Sequence, residues 1–238
     1  ASSTSRGLGD VYKRQVPMQG VVPLCKSFDT VGPITKTVED AALMFSVISG
    51  NKPVDLQYRS IVGGRLALLK GTALDDLHQK TAIAFEQSVN ALSKFGFEIK
   101  EVDINEVESA LALSSVLYPS EAYAEWKEEI EASPELMYDE ILQRFRAGKD
   151  VLAADYLKAK GDLETFKKKY YDMISPFDGV ILPTCPILPP NLERLKSDKG
   201  YYVAQNLMAL RNTRIGNLMG VCALTIPTNH SSCGLSIM

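Results

Sequence analysis

Val16–Gly50 reads VPMQGVVPLCKSFDTVGPITKTVEDAALMFSVISG. Its opening is apolar but cut by Pro17, Gly20 and Pro23, so it reads as a loop with a short extended piece. Thr37, with Asp40 three residues on, has the spacing of a capping box and opens a helix. Val38, Ala41, Phe45 and Ile48 fall on one helical face, and Gly50 ends it.

After a polar connector at 51–60, Arg65–Lys70 (RLALLK) reads as a buried strand closed by Gly71. Asp75 or Asp76 is placed to cap the next helix, whose apolar stripe is Ala82, Phe85, Val89 and Leu92, with Gly96 at its end. Phe97–Val102 alternates apolar and polar residues, the pattern of a strand. Residues 65–102 therefore form one strand–helix–strand unit. From Glu106 to Pro176 the pattern is helical, with breaks near Pro134 and Gly148. Gly179–Pro183 and Ala223–Pro227 read as buried strands, Ile187–Lys199 as an irregular loop, Gly200–Leu218 as a helix and the terminal GLSIM as a last strand.

The bulk numbers narrow the function. The chain has 238 residues, 45% hydrophobic and 23% charged, with a net charge of −3. That composition fits a globular core and excludes a basic nucleic-acid-binding surface. Lys167–Lys169 is a short like-charge run at a helix end, read as a solvated face. Cys25, Cys185, Cys222 and Cys233 are widely spread, without a Cys-x-x-Cys or Cys/His cluster, so neither a disulfide framework nor a metal site is expected. A cytoplasmic setting is the default, with no membrane span expected. Residues 1–15 are polar and aperiodic and are read as a tail outside the domain, disordered or artefactual.

Familiar catalytic sets do not stand out. His78 reads as a helix-start surface residue and His230 as part of a Ser-rich loop. There is no Gly-x-Ser-x-Gly elbow and no phosphate-binding glycine loop. Glu121, Glu125, Glu128 and Glu129 lie at helical spacing beside Lys127, the pattern of a solvated helix face.

The opening stretch does resemble a known segment. Val16, Pro17, Gly20, Val21, Pro23, Leu24, Ser27, Asp29–Pro33, Thr37, Val38 and Asp40–Leu43 resemble, in order, a segment of the amidase signature family. Later matches follow in that family's order: Glu121-Ala122, Arg144 with Gly148, Asp155-Tyr156 with Ala159, Asp178–Thr184, Asn217 with Gly220, Leu224–Pro227 and Gly234-Leu235. The resemblance implies an α/β fold, a mixed β-sheet flanked by helices on both sides. It implies hydrolysis of a carboxamide by a Ser–cis-Ser–Lys triad: a serine attacks the carbonyl, and a second serine relays its proton to a neutral lysine. Backbone N–H groups hold the oxyanion, and neither cofactor nor metal is required.

None of the three catalytic residues is assigned in this chain, because the resemblance places them ahead of Val16. Ser27 beside Lys26 falls outside the triad positions, and Ser231-Ser232 lacks a glycine-rich setting. The expectation is a partial fold: residues 16–238 as the C-terminal portion of one amidase signature domain, truncated at both ends, lacking the N-terminal catalytic part and inactive alone. Candidate pocket residues are Arg144, Thr184, Thr213 and Asn217, with packing or capping as the alternative for each. In the A subunits of glutamyl-tRNA amidotransferase, an arginine and an aspartate hold glutamine. Arg144 matches the arginine, whereas Leu210 stands at the aspartate position. That favours a general amidase; the alternatives are a non-catalytic binding or structural protein and an amidotransferase A subunit. Leu163, where an arginine is common, is a further departure. The expected partner is a small-molecule amide, with a homodimer left open.

Overall fold

The computed structural model describes residues 16–52, 54–56 and 62–238; the 1–15 tail lies outside the described residues. Helix α1 is Val38–Ser49. A βαβ unit follows, with β1 at Arg65–Leu69, α2 at Gln79–Lys94 and β2 at Glu98–Val102. Three helices come next, α3 at Asn105–Ala132, α4 at Asp139–Arg146 and α5 at Ala153–Ile174. The chain then runs through β3 (Gly179–Pro183), α6 (Leu192–Ser197), α7 (Lys199–Met219), β4 (Leu224–Pro227) and β5 (Gly234–Ile237).

Local chemistry explains several boundaries. Thr37 accepts the Asp40 N–H at 3.0 Å, and Gly50 closes α1 in the left-handed region at φ 69°. Helix α2 is capped by His78 rather than by Asp75 or Asp76: the imidazole Nδ1 accepts the Lys80 N–H at 3.1 Å. The 187–199 segment is less irregular than expected, because Asn191 accepts the Arg194 N–H and starts α6.

The five strands form one sheet in the order β2-β1-β3-β5-β4. β1 runs parallel to both β2 and β3, while β5 runs antiparallel to β3 and β4. Alternation along the strands sorts the core. Leu66, Leu68, Ile181 and Leu235 face α2 and pack with Phe85. Ala67, Leu69, Val180 and Leu182 face the other way, into a cluster with Leu117 of α3, Leu163 and Tyr170 of α5 and Leu218 of α7. A strand covered on both sides reads as a continuous apolar run, which is why GVILP is buried at every position.

The expectation of a partial fold is corrected here. The strands hydrogen-bond into one continuous sheet, and each face carries its own apolar cluster. A second correction concerns β4. It lies at the sheet edge and is largely exposed, not buried, because only β5 pairs with it. Among the described residues, no helix is long and apolar enough to cross a membrane.

Candidate functional site

The Val16–Pro33 loop lies across α3, and a set of polar clamps fixes it there. The Asp29 carboxylate accepts the N–H groups of Leu24 at 2.8 Å and Cys25 at 3.0 Å, folding the loop on itself. Trp126 Nε1 donates to the Pro23 carbonyl at 2.7 Å. Glu121 accepts the Ser27 N–H at 2.9 Å and the Tyr156 hydroxyl at 2.7 Å, and Glu125 pairs with Lys26 at 2.6 Å. Glu121 and Glu125 therefore hold the loop instead of forming a solvated face; Glu128 and Glu129 alone of the four are exposed. Burial, with the charges of Glu121 and Asp29, pushes the Cys25 thiol up to about 12, and the thiol donates to the Tyr118 carbonyl at 3.3 Å.

A cleft of ≈ 450 Å³ opens between this loop, α1 and the end of α7. Val31, Pro33, Val38, Ala41 and Phe45 form one wall; Thr213, Gly216, Asn217 and Val221–Leu224 form the other. Thr30, Thr213 and Asn217 set polar groups among its apolar walls. A second depression of ≈ 480 Å³ is lined by Leu24, Trp126, Ile130, Met137 and Phe145 and is almost wholly apolar.

The four predicted residues divide into three places. Thr213 and Asn217, one helical turn apart on α7, both line the cleft. Asn217 links the walls: its Oδ1 accepts the Tyr118 hydroxyl at 2.7 Å, and its Nδ2 donates to the Phe28 carbonyl at 2.7 Å. Arg144 lies outside the cleft lining, on α4, where Nη1 donates to Asn206 Oδ1 of α7. Thr184 also lies apart, just past β3. Its hydroxyl meets Ser236 at 2.8 Å and Thr225 at 3.3 Å, and those two meet at 3.2 Å, so the three hydroxyls satisfy one another across the sheet.

Serine–lysine contacts occur at two other points. Lys160 Nζ lies 3.5 Å from Ser27 Oγ, and Lys80 Nζ donates to Ser231 Oγ at 3.1 Å. Both are exposed and neither lines the cleft. Among the described residues, no three His, Cys, Asp or Glu side chains converge to hold a metal ion.

Sequence reasoning passed over three residues beside or below the cleft-lining part of α7. Tyr118 joins α3 to Asn217, and burial raises its hydroxyl pKa. Asn212, fully buried, donates from Nδ2 to both Ala73 O at 2.9 Å and Pro183 O at 2.7 Å. Arg214, also on α7, is half-buried; burial lowers its pKa, the Tyr118 hydroxyl opposes that, and the like charge of Arg144 adds to it. A lone amide or guanidinium within an otherwise apolar helical stripe was the available signal.

The sheet, the clamped loop and the cleft set the frame, and comparison with known proteins gives the family. The family model described as Amidase matches residues 12–237, and the chain belongs to this family of carbon–nitrogen hydrolases. It is 30% identical to a 2-amino-5-chloromuconic acid deaminase of Comamonas testosteroni, over 93% of this chain and 50% of that protein. It is also 30% identical to the A subunit of the glutamyl-tRNA(Gln) amidotransferase of Sulfurisphaera tokodaii, over 92% of this chain and 53% of that one. A crystal structure of an amidase superposes with a TM-score of 0.77 at 20% identity, covering 94% of this chain and 52% of the other.

The expectation of a fragment whose family sequence begins only at Val16, without the N-terminal catalytic part, is corrected by this match. The family model begins at residue 12 and takes in nearly the whole chain. The chain spans about half the length of the curated relatives it matches.

Proposed function

We propose that the whole protein hydrolyses the C–N bond of a small carboxamide, releasing ammonia and a carboxylic acid, in the manner of a glutamine-dependent amidotransferase A subunit. The observation that carries this reading is the cleft of ≈ 450 Å³ bridged by Asn217, in a chain of the amidase family. A subunits of glutamyl-tRNA(Gln) amidotransferase recur among its relatives. In this reading Thr213 and Asn217 contact the amide end, and Arg144 receives the substrate's acidic end. Thr184 supports the sheet beneath through its hydroxyl ring. The chemistry is the family's serine attack with proton relay through a second serine to lysine, none of the three being assigned to a residue here. Four free cysteines fit a reducing, cytoplasmic setting.

A second reading, a free-standing amidase, is favoured by one residue. Leu210, half-exposed on α7, stands where the resemblance places an aspartate in the A subunits. An isobutyl group cannot pair with the ammonium of glutamine. The test is ammonia release by the purified protein from glutamine and from glutaramate, which is glutamine without its amino group. The A-subunit reading expects glutamine to have the higher kcat/KM; preference for glutaramate moves the assignment to the amidase. Release from neither overturns both.

A further inference from the structure

We propose that the apolar groove lined by Leu24, Trp126 and Phe145 is a docking site for a partner polypeptide, which enters it as an amphipathic helix carrying lysine or arginine beside its apolar face. The groove shares no lining residue with the cleft, so its occupant is independent of the amide proposed above.

The groove has a volume of ≈ 480 Å³. It lies between the Val22–Leu24 part of the signature loop, the last turns of α3 and the Ser133–Met137 connector, with Phe145 of α4 beside them. Trp126 gives its indole N–H to the Pro23 carbonyl at 2.7 Å, so its polar end is satisfied and its ring stands as a fixed wall. Tryptophan, phenylalanine and methionine are the residue types enriched at the centres of protein interfaces, and Met137 completes that set here. The apolar surface also runs onto the rim. Val22 on the loop side is 75% exposed and Leu136 on the connector side is 84% exposed. Large apolar side chains so far into water on two sides of one groove extend it beyond the reach of a small ligand. The apolar face of a helix, with anchors at every third or fourth residue, matches that layout.

Charge specifies the occupant. Of the described residues that line the groove, Glu129 alone is charged. It stands in the last turn of α3, where the backbone carbonyls already make the helix end negative, and no basic residue shares that turn. The cations that reach this part of α3 go to other acids: Lys26 pairs with Glu125 at 2.6 Å and Arg146 with Glu131 at 2.6 Å. Lys127 lies two residues before Glu129 and so points away from it around the helix. Glu129 makes no ion pair among the described residues. A carboxylate at a negative helix end, set among apolar walls, is stabilised by a cation brought from outside. A lysine or arginine on the docked helix supplies that cation while the apolar face fills the groove. An acidic helix is repelled at the same point, which separates one partner from another. Leu24 lines the groove, and Val31 and Pro33 of the same loop line the cleft, so a docked partner touches the loop that walls the cleft.

Trp126 is the chain's single tryptophan, so its emission reports on the groove directly. The test titrates the purified chain with a tryptophan-free helical peptide of about 14 residues, leucine at i, i+3, i+4 and i+7 with lysine beside them, and with its twin in which glutamate replaces every lysine. At about 150 mM salt the lysine peptide is expected to shift the emission saturably and to bind about tenfold or more tightly than the twin. Glu129→Lys is expected to reverse that order. Leu136→Asp, at an exposed position, is expected to weaken binding of the lysine peptide about tenfold. No shift with the lysine peptide, or equal affinity for the two peptides, overturns the docking site using wild type alone, so a variant that misfolds does not protect it. Hexylammonium binding as tightly as the lysine peptide makes the occupant a small amine and overturns the polypeptide. A dimer in sedimentation that Leu136→Asp dissolves assigns the groove to a second copy of this chain and likewise overturns the basic partner.

Discussion

At the scale of single residues, Gly148 shows how close the helices come. A Cβ placed there would lie 2.0 Å from the Pro119 carbonyl oxygen and 2.8 Å from the Ser120 nitrogen. Both are backbone atoms inside α3, so neither can swing aside. Gly148→Ala should destabilise the fold by about 3 kcal/mol, the upper end of the overpacking range, read as a fall in denaturation midpoint. A midpoint within error of wild type would contradict the packing. Cys25 gives a pH signature. The folded thiol holds its proton up to about 12, against 9.0 for an ordinary thiol. Its contribution is therefore complete below pH 9.0 and is lost as pH rises toward 12, because the unfolded chain ionises first. Urea melts should show stability falling less steeply above pH 9.0 in Cys25→Ala than in wild type; equal slopes would contradict the burial of the thiol. The sequence showed Gly148 as a helix break but not its cause, since the approach to Pro119 is a tertiary contact. It likewise showed Glu121 as helix surface, because its partners Ser27 and Tyr156 are far away along the chain.

Among the elements, those governed by local rules were legible. The Thr37 cap, the Gly50 stop, the alternation of β2 and the apolar run of β3 are all written in short windows. β4 was misjudged as buried because LTIP has the composition of a core strand, and nothing local says that only one neighbour will pair with it. Helix α7 is the element that ties the rest together, and Asn212 is its anchor. The buried amide serves carbonyls from the turn after β1 and from the end of β3. Asn212→Leu, similar in volume, leaves both carbonyls without their donor. We expect a loss of about 3 kcal/mol, with faster amide exchange in β3 and α7. Unchanged protection there would mean that the anchor is dispensable. Of the candidate site, Thr213 and Asn217 were legible as a pair on one helix face. Tyr118 was not, because its tie to Asn217 joins two helices far apart along the chain.

The whole molecule places one cleft beside a two-sided sheet, with the signature loop as a clamped wall and α7 as the opposite one. The loop's residues named the family from sequence, and the family match extends that identification from residue 12 to residue 237. Its position near the chain start suggested a partial fold, an inference that the continuous sheet with an apolar cluster on each face does not support. What the loop does physically became clear only in three dimensions: Glu121 and Trp126 of α3 and Asn217 of α7 hold it from outside, and its own Asp29 folds it on itself. The central claim is that this frame serves carboxamide hydrolysis. Ammonia released from glutaramate and glutamine by the purified protein, followed against substrate concentration, tests it most directly. The account predicts saturable release with one acid formed per ammonia; no release above background from either amide would contradict it.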